Sequence, residues 1–218
     1  MNKKSELLLE YLKDSYKTQL YGFLFLNLAV FWVLIIAKSD FANFTVIIDS
    51  FSTKDGLMVV LAPIGVLGLN GLLSPEMKAA IVFWRFSDPL PGSRAFSEYL
   101  LKDERVDPDA LKAAWGEFPT VAKEQNRLWY RIYKTTEDDL IVREAHRAFL
   151  HARDLCGFSL LFAIAFGSAT AFSDSPRTVI LLYIGSLVVQ YLTFSVAARH
   201  YGVRFVTNVL TTASYRKS

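Results

Sequence analysis

This sequence predicts an all-α membrane protein: four transmembrane helices, with a helical cytosolic insert between the second and the third. Three observations carry that fold class. First, the runs 20–37, 56–73, 155–172 and 178–198 contain none of the 24 Lys and Arg or the 21 Asp and Glu of the chain. An uncharged apolar run of about 18 or more residues is long enough, as a helix, to cross a hydrocarbon core roughly 30 Å thick. Second, residues 74–154 carry thirteen Lys and Arg, which marks them as a polar insert. Third, basic residues gather on the cytoplasmic side of a membrane. Here they stand before the first run (Lys3, Lys4, Lys13, Lys17), in the insert, and after the last run (Arg199, Arg204, Arg216, Lys217). Between the first two runs only Lys38 and Lys54 oppose Asp40, Asp49 and Asp55, and residues 173–177 hold one basic residue, Arg177, beside Asp174. Both termini and the insert are therefore expected inside, as an even number of spans also requires.

The hydrophobic content of 52% is too high for an ordinary soluble domain and fits one compact membrane unit with a modest cytosolic portion. Residues 1–19 form the first segment, with Leu8, Tyr11, Leu12 and Tyr16 at helical spacing, an amphipathic cytosolic helix leading into the first span. The first span is expected to be retained, since no small-residue cleavage pattern follows it. Spans 1 and 2 occupy residues 20–73. The loop 38–55 is rich in Phe and Ile and is expected to fold back on the membrane surface. Span 2 carries Pro63 and then Gly65, Gly68 and Gly71. Glycines at that spacing allow close approach of a neighbouring helix, and Pro63 favours a kink; packing and a hinge are both open.

The insert and stalk span 74–154. Ser74-Pro75-Glu76 is a helix start, with Ser as N-cap and Pro at the first helical position. Met77, Ala80, Ile81 and Trp84 follow on one face, which suggests a helix lying at the inner leaflet. Asp88-Pro89-Leu90-Pro91-Gly92 ends it in a turn. Three short helices are expected next, at 94–104, at 108–115 (capped by Asp107, stopped by Gly116) and at about 121–134. Thr136-Glu137-Asp138-Asp139 reads as a further N-terminus, opening one continuous helix over 137–172. Its apolar stripe would be Ile141, Ala145, Ala148, Phe149, Ala152 and Cys156, and it acts either as a lever or as a scaffold. Spans 3 and 4 occupy 155–198, with Ala163, Gly167 and Ala171 spaced for close helix contact. Residues 199–218 are a cytosolic tail.

Chemistry-bearing motifs are sparse. The chain shows no HExxH, GxSxG, Gly-rich phosphate loop or CxxC, so no enzyme and no cofactor are expected. Cys156 is the one cysteine and is read as a small buried residue. His146 and His151 diverge by about 140° on a helix and are expected at the surface of the stalk. No acid lies in any span, which argues against proton- or sodium-coupled transport. Two groups of residues remain. Ser186, Gln190 and Thr193 share a stripe of span 4, either lining a water path or bonding between helices. A path would need several copies around an axis. Arg127, Tyr130, Arg131 and Lys134 share a face of the third insert helix. Cations interleaved with aromatics suit phosphates and stacked bases, although Trp129, Ile132 and Tyr133 fit a core equally well and basic side chains also meet lipid headgroups.

In layout alone, two spans, a helical cytosolic insert and two further spans resemble small four-span membrane effectors of bacterial anti-phage defence. The similarity is to Hailong-type channels and to the four-helix partners of nucleotidyltransferases. That resemblance implies a membrane channel governed by a cytosolic nucleotide or oligonucleotide. With the residues above, it predicts a homo-oligomeric channel or membrane-disrupting effector in the bacterial inner membrane. Its expected partners are the lipid bilayer, further copies of itself, a nucleotide or short oligonucleotide, and a soluble protein. The alternative is a non-conducting membrane-anchored subunit that recruits a soluble partner protein.

Overall fold

The computed structural model describes residues 3–36, 65, 68 and 71–216, and among them every regular element is helical. In chain order these are α1 (Lys3–Phe31, prolonged by the π-helical turn Trp32–Ile36), α2 (Pro75–Phe83), α3 (Pro108–Trp115), α4 (Ala122–Thr136), α5 (Leu140–Ala171) and α6 (Arg177–Tyr215). Thr18–Ile35, α5 and α6 are long and apolar enough to cross a membrane. The expected amphipathic leader and first span are one continuous helix. The loop 38–55, Pro63 and Asn70 lie outside the described residues. Gly65, Gly68 and Gly71 are helical and exposed, and nothing described stands within 4 Å of a Cβ built on any of them. The close neighbour expected there is not found among the described residues.

The chain groups into two units. The helical unit combines Ser74–Arg153 and Ser195–Ser218 with Met1–Tyr11. Its local punctuation follows the sequence closely. Ser74 Oγ accepts from the Met77 N–H at 3.1 Å and opens α2 with Pro75 at its first position. Asp107 Oδ1 accepts from the Asp109 and Ala110 N–H groups, both at 3.0 Å, and Gly116 at φ +82° ends α3. Each device satisfies donors that a helix end leaves without an intrahelical partner.

Two expected helix boundaries within this unit fail. The helix anticipated over 94–104 is instead a 3₁₀ turn (Pro91–Arg94), a π turn (Ala95–Tyr99) and a second 3₁₀ turn (Leu100–Lys102). Tertiary packing explains this. Gly92 lies flush against α4, where a Cβ would come within 2.6 Å of Trp129 Cε3. The amides of Phe96 and Ser97, in the first turn of the π segment, donate to the buried Gln125 Oε1 at 3.2 and 3.1 Å. Second, Thr136 is not a cap. It is buried in the last turn of α4, its hydroxyl donating to the Tyr133 carbonyl at 3.2 Å. Asp139 opens α5 instead, accepting from the Ile141 N–H at 2.9 Å.

The core of this unit gathers Phe96, Leu111, Trp129, Ile132, Val142, Ala145 and Phe149 around Phe205, Val206, Val209 and Leu210. Residues 199–215, expected as a tail, therefore form the end of α6 and supply much of that core. On α5 the buried stripe runs Val142, Ala145, Phe149, Ala152, Cys156, while Ile141 is 57% exposed. His146 is not at the surface as expected: its ring stacks on Phe205 at 4.6 Å and its Nδ1 lies 3.2 Å from the Tyr133 hydroxyl.

The apolar unit comprises Leu12–Leu73 and Asp154–Phe194. Leu24, Leu28 and Ile35 pack with Phe158, Phe162 and Phe166 of α5 and with Tyr183 and Leu187 of α6. Phe31 stacks on Phe166 at 4.4 Å, and Phe23 meets Phe194 edge-on at 5.3 Å. Of the small residues of span 3, Ala163 packs against this core. No described atom stands within 4 Å of a Cβ on Gly167, and Ala171 is exposed.

Candidate functional site

Helix α4 has two faces with different fates. Gln125, Trp129, Ile132 and Thr136 recur at helical spacing and are buried. Trp129 meets Phe205 edge-on at 5.2 Å, and Tyr133 meets the same ring at 5.4 Å. Burying those aromatics leaves Arg127, Tyr130, Arg131 and Lys134 on the exposed face, with Tyr130 51% accessible. The structure therefore brings these four site residues onto one surface and assigns Trp129 and Ile132 to the core.

Their electrostatic situations differ. Lys134 Nζ pairs with Glu137 Oε2 at 2.7 Å and lies 5.7 Å from the centre of the Tyr130 ring. The carboxylate of Glu137 holds the Lys134 ammonium above its ordinary pKa. Neither Arg127 nor Arg131 has a hydrogen-bonding or ionic partner among the described residues. Two unpaired planar guanidinium groups beside an exposed phenol ring can receive phosphate oxygens bidentately and stack a planar group. Among the described residues no three His, Cys, Asp or Glu side chains stand together to hold a metal ion.

The span-4 stripe divides differently. Gln190 Nε2 donates to Asn27 Oδ1 at 3.1 Å, and Asn27 Nδ2 donates to the Phe23 carbonyl at 2.9 Å. This ties α6 to α1 within one protomer. Ser186 Oγ donates to the Tyr183 carbonyl at 2.7 Å and Thr193 Oγ1 to the Val189 carbonyl at 2.9 Å, both from exposed positions. Local back-bonding satisfies those hydroxyls without any second helix.

A second cationic surface escaped the sequence reading. Val196, Arg199, His200, Val203, Arg204 and Thr207 of α6 line an open groove of about 700 Å³ together with Lys102, Asp103 and Arg105. About a hundred residues separate its two walls, so no local motif announces it. The one available signal was the α-helical spacing of Arg199, Val203 and Thr207, which continues past the end of span 4. Arg199 Nε donates to the Val82 carbonyl, which Ser195 Oγ also reaches at 3.0 Å. Both satisfy a carbonyl in the last turn of α2, where helix ends leave acceptors without an intrahelical donor. The Arg199 guanidinium sits 3.9 Å from the centre of the Trp84 ring. Trp84 closes α2 in the left-handed region at φ 54°, a costly conformation for a bulky residue, and the stacked cation helps hold it there.

The class defined by these features is an all-α protein with three helices able to cross a membrane and a charge-rich helical unit. Comparison with protein-family models, with curated proteins and with solved structures finds no match.

Proposed function

We propose that this chain is a four-span effector of the bacterial inner membrane, with both termini and the helical unit in the cytoplasm. In this reading several copies assemble into a channel or membrane-disrupting complex that serves anti-phage defence. A nucleotide or short oligonucleotide is received at Arg127, Tyr130, Arg131 and Lys134. The observation that carries the reading is the continuity of α6, Arg177–Tyr215. Its first half is apolar, with Leu181, Leu182 and Val189 each at least 62% exposed. Its last turns supply the Phe205 ring on which Trp129 and Tyr133 of α4 rest. A ligand that shifts α4 would therefore act on a helix that is also a candidate span.

A second reading, a non-conducting anchored subunit that recruits a soluble protein, is favoured by the Gln190–Asn27 bond. That bond occupies an amide which a water path would need.

Purified protein in dye-loaded liposomes tests the two. Ribonucleotides and short single-stranded oligonucleotides should release dye, and Arg127→Glu with Arg131→Glu should abolish release while leaving assembly intact. Tight vesicles under every probe, with a monomer in detergent, would remove the channel reading and leave the anchored subunit.

A further inference from the structure

The groove beside Arg199 has the chemistry of a phosphoryl site. Four cations line it (Lys102, Arg105, Arg199 and Arg204) against a single carboxylate, Asp103. That carboxylate is already engaged inside the wall. Arg105 donates to it through Nε at 2.8 Å, through Nη2 at 2.6 Å and through its backbone amide at 3.1 Å. Hydrogen bonding from Arg105 holds the Asp103 carboxyl down at about 2, so it stays ionised and paired at any ordinary pH. Arg105 Nη2 also donates to Asn208 Oδ1 at 3.2 Å, which fixes this wall to α6.

The remaining cations have no counter-ion among the described residues. Lys102 lies 5.3 Å from the centre of the Tyr99 ring, a contact that leaves its charge uncompensated. Arg204 is exposed and makes no side-chain bond to another described residue. Arg199 is held by the Val82 carbonyl and the Trp84 ring, yet its Nη2 is buried without an acceptor. Buried donors are almost always satisfied, and an orphan calls for a missing partner. Converging like charges in a concave, partly apolar site raise the local attraction for anions.

The apolar features choose between anions. Val196 and Val203 line the groove, and Val196 belongs to the uncharged run 178–198. Trp84, whose ring lies on the Arg199 guanidinium, and Leu101, next to Lys102 in the chain, are 52% and 81% exposed. Exposed tryptophan and aliphatic side chains beside clustered Lys and Arg are the pattern of a membrane–water interface. We propose that the groove formed by Lys102, Arg105, Arg199 and Arg204 binds a phosphoryl group, and that its natural source is an anionic phospholipid headgroup. The site is independent of the α4 surface and of the channel reading.

The full chain in detergent is titrated with short-chain phosphatidic acid, short-chain phosphatidylcholine and inorganic phosphate, and retained adducts are counted by native mass spectrometry. Phosphatidic acid should be retained in preference to the zwitterionic lipid, and Lys102→Glu with Arg204→Glu should weaken that retention by about tenfold or more. Arg127→Glu with Arg131→Glu should leave it unchanged, which separates this site from the α4 surface. Because Lys102 and Arg204 are exposed, helix content and melting should match the parent. If they do not, Lys102→Gln with Arg204→Gln repeats the test by charge removal alone. Inorganic phosphate displacing the lipid at equal concentration would uphold phosphoryl recognition but overturn the lipid source. Equal retention of both lipids, or retention untouched by either double substitution, would overturn the site.

Discussion

The two units of this protein differ in where their polar side chains find partners. In the helical unit the buried Gln125 cross-links distant segments. Gln125 Oε1 gathers the amides of Phe96 and Ser97 and the Ser97 hydroxyl, while its Nε2 donates to the Thr120 carbonyl at 3.1 Å. In the apolar unit Ser159, Ser186 and Thr193 bond within their own helix, Ser159 on the Leu155 carbonyl at 2.8 Å. Gln190 with Asn27 is the exception. Their helix faces differ too: Leu26, Ile164 and Leu182 of the apolar unit are 63%, 59% and 70% exposed, whereas α4 presents arginines. The contrast points to different solvents. Water competes for every polar group, so the helical unit keeps a buried one bonded, within its helix at Thr136 or between segments at Gln125. A hydrocarbon surrounding offers no competitor, and helices there must satisfy themselves.

Substitutions can break this comparison, the largest effect first. Gly92→Val places side-chain carbon where Asn126 Oδ1 and Trp129 Cε3 already stand 2.5 and 2.6 Å from a Cβ. Overpacking of this kind should cost about 3 kcal/mol, read as a lowered melting temperature of the full chain in detergent. Gln125→Leu strands two amides and a hydroxyl and should cost about 2 kcal/mol. Gln125→Glu keeps the Oε acceptor and should recover part of that loss. Gln190→Leu should be mildest, about 0.6 kcal/mol in resistance to unfolding by dodecyl sulfate. A larger loss for Gln190→Leu than for Gln125→Leu would show that the amide pair, rather than ring packing, holds the apolar unit.

Local signals in the sequence translated well where one residue type has one use. Ser74 with Pro75, and Asp107 with Pro108 and Gly116, mark helix ends because their hydrogen bonds close within three or four residues. Thr136 misled for the same reason: a hydroxyl three residues before an acid describes a cap, but it also suits the buried last turn of a preceding helix. The basic face of α4 was legible from its period. Whether Trp129 and Tyr133 were ligand rings or core rings was not, since both uses share that period. His146 looked exposed on its own helix, and only Phe205, some sixty residues later, gives its ring a place to stack.

Charge exclusion from long apolar runs determined from sequence alone that the chain is helical and able to cross a membrane, because each residue's preference for hydrocarbon or water needs no partner. The caps and the faces of single helices followed from short-range geometry. Contacts between remote segments needed the tertiary structure: the irregular turns pressed on Trp129, the Gln125 cross-link, and the cationic groove between residues 102–105 and 196–207. Each depends on which surfaces meet, and no local spacing encodes that meeting.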